Sequence, residues 1–242
     1  MTTTTEKNGR LGNQIIRNMA VSFIAEKHNL FVKYSNSDAI QRLGIPLFVG
    51  KNTHNNTSLL TDDNFFDILN ASAINSNLDP NPNYFQTKEI TNYIYKYLKT
   101  PEIQSQIINK NPFKIQYNAN NNLFIHIRLT DTVRNNPGLQ YYTKAIANIS
   151  CDNIFISTDD PNHPMIKQIL QRFPNTRIIN LDEIQTFQFG STCKHIILSH
   201  GSFSAIIGYL AFYSDVYYPQ YEEGKVWYGD MFSIPEWKKI TF

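Results

Sequence analysis

One segment of the chain combines an apolar run with polar groups that could bind an anion. Residues 124–129 are apolar apart from His126 and Arg128, and Thr130 and Asp131 follow at once. Side chains alternate along a β-strand, so we expect His126 and Arg128 on the same face. A buried guanidinium needs a compensating anion, and its planar fork can hold two phosphate oxygens. The segment predicts an anion site at Arg128, with a buried ion pair to Asp131 as an equally weighted alternative.

A second polar group follows another predicted strand. The sequence at 157–161 is Ser-Thr-Asp-Asp-Pro. A carboxylate of Asp159 or Asp160 could accept two parallel hydrogen bonds from the ring N–H and amino group of guanine, an edge that adenine lacks. Capping of the following helix is the alternative role.

Two turns that lead into predicted helices offer further polar groups. The turn at 201–204, Gly-Ser-Phe-Ser, opens a helix whose free backbone N–H groups could bind an anion, although serine there could also serve only as a cap. The turn at 9–14, Gly-Arg-Leu-Gly-Asn-Gln, opens another helix and lacks the Gly-Lys-Ser/Thr of a P-loop.

The elements that must position these groups are clearest in the second half of the chain, where strand and helix patterns alternate. Strict alternation predicts a parallel, Rossmann-like sheet whose ligands bind beyond the carboxyl ends of its strands. The predicted strands cover 124–129, 153–158, 177–181, 195–199 and 215–218, and the predicted helices cover 139–149, 164–173, 186–193 and 202–212.

The first half is less regular. An apolar stripe from Ile15 to Ile24 predicts a helix that stops at His28, and 31–34 is predicted to be a strand. Helices are predicted at 90–98 and 100–108, whereas 36–83 shows no clear pattern. The asparagine-rich segment 109–122 predicts a domain boundary, giving domains 1–115 and 116–242.

Composition excludes several classes of function. A formal net charge of +2 does not indicate nucleic-acid binding, and without an apolar run of about 20 residues no membrane span is expected. Cys151 and Cys193 have no partner at metal-binding or CxxC spacing, so we expect no metal site and a reducing, cytoplasmic location. No nucleophile motif of hydrolases is present.

Taken in order, several motifs resemble those of fucosyltransferases that use GDP-L-fucose. The turn at 9–14 is similar to the opening Gly-Gly-Leu-Gly-Asn-Gln of the α1,2-fucosyltransferase family, and 84–86 to its Tyr-Phe/Trp-Gln motif. Residues 126–131 resemble its His-x-Arg-x-Gly-Asp motif, and 193–204 its last signature. Thr130 and the segment 157–161 are instead similar to the α1,6- and protein O-fucosyltransferases.

This resemblance implies an α/β fold with two Rossmann-like domains of the glycosyltransferase B type. It also implies an inverting, metal-independent transfer of L-fucose from GDP-L-fucose to a glycan hydroxyl, with α1,2 linkage expected. It implies that Arg128 binds the β-phosphate and that an aspartate of the 159–160 pair contacts guanine. Asp131 is a candidate base, with pairing to Arg128 as its alternative role. His126 is a further candidate catalytic residue at the donor site, with an ordinary core histidine as its alternative role. The remaining residues expected at the donor site are Ser202, Phe203 and Ser204, with Gly12 and Asn13 facing it from the first domain.

Two alternatives remain open from the sequence. One keeps the fold but changes the donor to another GDP-deoxyhexose, such as GDP-rhamnose. The other is a nucleotide- or glycan-binding protein without turnover.

Overall fold

Parallel strands separated by helices make up both halves of the chain. The computed structural model describes residues 1–6, 9–131, 133–220 and 230–242. The chain divides into two units, 1–106 and 107–242. This division falls within a helix at 101–110, whereas the boundary predicted from the sequence, at 115/116, follows that helix.

Unit 1 contains two pairs of short parallel strands. The first strand pairs with the second and the third with the fourth, and the Leu78 N–H donates to Thr2 Oγ1 at 2.9 Å between the two pairs. The strands are β1 (Thr2–Thr3), β2 (Val32–Lys33), β3 (Thr57–Leu59) and β4 (Asn77–Asp79). The helices are α1 (Leu11–His28), α2 (Ser37–Arg42), α3 (Phe65–Asn70), α4 (Lys88–Leu98) and α5 (Pro101–Lys110).

The long helix α1 is the centre of unit 1. Its predicted apolar stripe is buried, and it ends where Asn29 adopts a left-handed conformation (φ 51°). One residue of the helix is an unexpected member of the core: the fully buried Arg17 donates to the carbonyl oxygens of Thr5 and Asn83, both at 3.1 Å. These bonds satisfy a guanidinium that burial would otherwise destabilise.

Unit 2 is built on a six-stranded parallel sheet. Its strands are β5 (Leu123–Ile127), β6 (Ile154–Thr158), β7 (Thr176–Ile178), β8 (His195–Ile197), β9 (Asp215–Pro219) and β10 (Lys238–Ile240). Its helices are α6 (Leu139–Ala147), α7 (Pro164–Arg172), α8 (Glu183–Gly190) and α9 (Gly201–Tyr209), with short 3-10 helices at Lys114–Gln116, Val133–Asn135 and Asp230–Phe232.

The strand order of this sheet is β7-β6-β5-β8-β9-β10. Numbered along the chain, this is the order 3-2-1-4-5-6 of doubly wound nucleotide-binding sheets. The order reverses between β5 and β8, so the predicted parallel sheet is confirmed and its switch point lies at the carboxyl ends of these two strands.

Helices pack on both faces of the sheet, and successive residues of β5 contact opposite faces. Ile125 and Ile127 lie in one apolar cluster with residues of α6 and α7. Phe124 points to the other face, where its ring lies 6.3 Å from that of Phe189 in α8. Gly190 permits this close approach, since a Cβ there would lie 2.8 Å from the Phe124 ring.

Most predicted elements of unit 2 are present, with shifted ends. The strands predicted to reach 129, 181 and 199 end at Ile127, Ile178 and Ile197. The helix predicted at 186–193 begins at Glu183, because Asp182 and Gln185 form a capping box before it. The sequence does not predict β10, since two of its three residues are exposed lysines.

In the described part of the chain, no helix has both the length and the apolar composition needed to cross a bilayer.

Candidate functional site

The carboxyl end of β5 meets the turn between β8 and α9 at the switch point of the sheet. Parallel sheets of this order bind ligands in the crevice outside the strand ends at such a point. The backbone N–H of Arg128, just beyond β5, lies 3.5 Å from Ser199 Oγ in the β8–α9 turn. The structure therefore brings the predicted residues of the β5 segment beside the start of α9.

The Arg128 guanidinium binds the Asp131 carboxylate in a bidentate ion pair. Nε donates to Oδ1 at 3.0 Å, and Nη2 donates to Oδ2 at 2.7 Å. The Arg128 side chain is 17% exposed and that of Asp131 is 39% exposed. Within the described ranges, Nη1 of Arg128 has no hydrogen-bond acceptor. The ion pair that the sequence offered as an alternative is formed, and the Nη1 side of the guanidinium remains for a further acceptor.

Gly201 places the first turn of α9 against this guanidinium. Its φ is +83°, and a Cβ there would lie 3.1 Å from Arg128 Nη1. Glycine adopts this conformation without strain and leaves room for the arginine. The N-cap residue of α9, His200, makes no side-chain capping bond to the helix. The backbone N–H groups of a first helical turn have no partners within the helix, so this end is suited to an anion.

His126 is buried between β5 and α9. Its Nδ1 lies 2.6 Å from Ser204 Oγ, and its ring packs on that of Phe203 with centroids 4.9 Å apart. Burial, followed by the nearby His200, lowers the pKa of His126 to about 3, so the ring is neutral at physiological pH. Ser204 is itself fully buried and reaches the site through His126.

The two neighbouring aspartates have different roles in this structure. Asp159 Oδ1 accepts the Leu129 N–H at 2.6 Å, and its Oδ2 accepts the N–H and hydroxyl of Thr130 at 3.3 and 2.6 Å. Burial alone would raise the pKa of Asp159, but these hydrogen bonds hold it below its usual value. Asp160 accepts the Asn162 N–H at 3.1 Å in a local turn. Asp159 thus fixes the loop that carries the ion pair.

Residues that the sequence analysis missed link the loop to the sheet. The Tyr142 hydroxyl donates to Ser199 Oγ at 2.9 Å. Asn136 Nδ2 lies 2.9 Å from the Arg128 carbonyl oxygen and 3.2 Å from the Tyr142 hydroxyl. Burial raises the pKa of Tyr142, which keeps its hydroxyl protonated. No sequence signal separates this tyrosine from an ordinary core residue, because it lies on the apolar face of α6.

The predicted residues of unit 1 form a separate polar cluster at the start of α1. Asn13 Oδ1 accepts a hydrogen bond from the buried Gln86 Nε2 at 2.8 Å. Gly9 adopts a φ of +108°, and a Cβ there would lie 2.2 Å from Asn13 Nδ2. Gly12 is buried in the first turn of α1. The 9–14 and 84–86 motifs, far apart in sequence, therefore meet through Asn13 and Gln86.

Metal-ligating side chains do not cluster in the part of the chain that the structure describes. No group of three or more His, Cys, Asp or Glu residues is arranged there to hold an ion. Cys151 and Cys193 are free thiols, and burial raises the pKa of Cys193 to about 12. This thiol is therefore a core group without nucleophilic character at neutral pH.

No protein-family model matches this chain, and a search of curated proteins finds none that matches it.

Proposed function

We propose that the chain is an inverting fucosyltransferase that moves L-fucose from GDP-L-fucose to a hydroxyl of a glycan, with α1,2 linkage as the expected product. In this proposal the fold is of the glycosyltransferase B type, with the donor on unit 2 and the acceptor on unit 1. Catalysis needs no metal, and the enzyme acts in the cytoplasm. The proposal rests on the motif resemblance together with the geometry of unit 2.

One observation carries the proposal: Arg128 Nη1 and the first turn of α9 lie together at the switch point of a nucleotide-binding strand order. A guanidinium and the backbone N–H groups of a first helical turn are both donors to phosphate oxygens. A diphosphate there would meet both groups at once.

The proposed mechanism follows from where charge develops. As the bond between fucose and the β-phosphate breaks, negative charge builds up on the leaving GDP. Arg128 and the N–H groups of Ser202 and Phe203 would stabilise that charge, and such preorganised donors supply the largest part of many rate enhancements. The acceptor hydroxyl oxygen forms its bond to C1 of the oxocarbenium-like sugar from the opposite face as the bond between C1 and the phosphate breaks, GDP leaves, and the hydroxyl proton is lost to solvent.

Asp131 has a different role in this mechanism from the one first considered. Both of its carboxylate oxygens accept hydrogen bonds from Arg128. A carboxylate so engaged is a weaker base, because its charged form is stabilised. We therefore propose that Asp131 orients the guanidinium.

Nucleotide binding provides the first test. We expect Arg128→Ala to weaken GDP binding at least tenfold, about 1.4 kcal/mol, and Arg128→Lys to restore only part of the loss because ammonium lacks the planar fork. Arg177→Ala is the matched control, since this exposed arginine lies on β7 of the same sheet. Isothermal titration calorimetry measures all three. Equal affinities in Arg128→Ala and Arg177→Ala would contradict the assignment.

Transfer is tested by mixing GDP-fucose or GDP-rhamnose with a panel of glycan acceptors and following GDP release. We expect release with GDP-fucose and an acceptor, and linkage analysis then identifies the product. GDP release with GDP-rhamnose and an acceptor, but not with GDP-fucose, would favour GDP-rhamnose as the donor. Tight GDP binding with no release from any pair would favour a binding protein without turnover.

A further inference from the structure

The His126 ring is fixed on two sides by residues of α9. Ser204 Oγ lies 2.6 Å from Nδ1, and Phe203 packs on the ring face with an interplanar angle of 30°. Phe203 is in turn packed on Phe187 of α8, with centroids 4.2 Å apart. The orientation of the imidazole is therefore set by its neighbours before any ligand arrives.

The hydrogen-bond partners of Ser204 determine which ring nitrogen carries the proton. Its Oγ accepts the backbone N–H of Ser199 at 2.9 Å. The serine hydroxyl has one proton to donate, and among the described residues His126 Nδ1 is the acceptor within its reach. If Nδ1 carried the proton, the hydroxyl proton would be buried without an acceptor, which is costly. Nδ1 is thus the acceptor, and the proton of the neutral ring is on Nε2.

We propose that Ser204 is a positioning residue that holds His126 as its Nε2–H tautomer, so that Nε2 donates a hydrogen bond to a diphosphate oxygen of the donor nucleotide. The identity of this ligand rests on the proposed function, whereas the tautomer does not. His126 and Arg128 share a face of β5, so a diphosphate bound by Arg128 would be close to Nε2.

The groups around His126 agree with a neutral donor. The nearby His200 and Arg128 side chains disfavour a second proton on the His126 ring and so lower its pKa. The Asp159 carboxylate acts in the opposite direction. The backbone N–H of Ser199 donates to Ser204 Oγ, and Ser199 Oγ accepts a hydrogen bond from the Tyr142 hydroxyl. The hydrogen-bonded chain therefore extends from His126 to α6. The Nε2–H group of a neutral His126 ring can donate a directed hydrogen bond to the ligand without adding positive charge beside Arg128.

Nitrogen NMR tests the tautomer directly. In the intact chain labelled with ¹⁵N-histidine, the protonated and unprotonated ring nitrogens have different shifts and two-bond proton couplings. The signals of His126 are assigned by their loss in His126→Gln. We expect an unprotonated Nδ1 and a protonated Nε2 at pH 7. A protonated Nδ1 or a doubly protonated ring would overturn the proposal.

Variants of Ser204 test the positioning role. We expect Ser204→Ala to shift the ring toward the Nδ1–H tautomer and to weaken GDP binding about fivefold, as loss of one well-placed hydrogen bond predicts. Ser204→Thr, which keeps the hydroxyl, should restore the tautomer. An unchanged tautomer in Ser204→Ala would overturn the role. If wild-type chain has the expected tautomer but does not bind GDP, the proposed function fails while the tautomer assignment holds.

Discussion

At the residue scale, the burial of His126 predicts a specific loss of stability in acid. The pKa of His126 is about 3 in the folded chain against 6.5 for the free side chain, so the unfolded state binds the extra proton between these values. The free energy of unfolding should therefore fall with decreasing pH below about 6.5, approaching 1.4 kcal/mol per pH unit from this residue.

Urea unfolding of the wild type and His126→Gln between pH 7 and 4 measures this contribution. We expect the wild type to lose stability more steeply than the variant, whatever their difference at pH 7, because glutamine does not titrate. Parallel curves for the two proteins would show that His126 takes up a proton in the folded state.

Strand alternation predicts that His126 and Arg128 share a face, and their contacts with α9 agree with it. The sequence could not predict the partners of Asp159. Its carboxylate accepts from Leu129 and Thr130, which are distant in sequence and come close only because β5 and β6 pair in parallel. Hydrogen bonds of this kind depend on register, which a single sequence does not encode locally.

At the element scale, the alternation of strand and helix was sufficient to predict the parallel sheet of unit 2. It was not sufficient in 36–83, where β3 and β4 have three residues each and are too short to show a period of two. The β5 strand ends at Ile127, two residues before its predicted end. The Leu129 N–H, which would continue the strand, donates to Asp159 instead.

The loop after β5 should lose stability when Asp159 loses its charge. In Asp159→Asn, one oxygen that accepts from Thr130 becomes an amide donor, and we expect the free energy of unfolding to fall by about 1 kcal/mol. Asp160→Asn is the matched control, since an asparagine carbonyl can still accept the Asn162 N–H. Thermal and urea unfolding at pH 7 measure both variants, and an equal effect in the two would contradict this role.

At the scale of the whole molecule, each unit has its own core of buried residues, and the sequence predicted two domains from the polar segment after α5. A fragment of residues 100–242 keeps α5 intact together with all of unit 2. Because a domain with its own core folds independently, we expect this fragment to unfold in one cooperative transition.

The same fragment tests the proposed donor site on unit 2 by itself. We expect GDP to raise the melting temperature of the fragment, since Arg128 and α9 are both retained. Calorimetry with and without GDP makes the comparison. An unchanged melting temperature would contradict the placement of the donor site on unit 2.

The indole ring of Trp237 packs against the backbone of α9, the helix that begins at the proposed site. A Cβ at Gly208 in α9 would be 2.5 Å from the indole ring, so ring and helix are in direct contact. The chain has two tryptophans, and the other, Trp227, lies outside the described residues. In a Trp227→Phe background, emission from a single fluorophore would report a shift of α9, which gives an optical test of the proposed nucleotide binding.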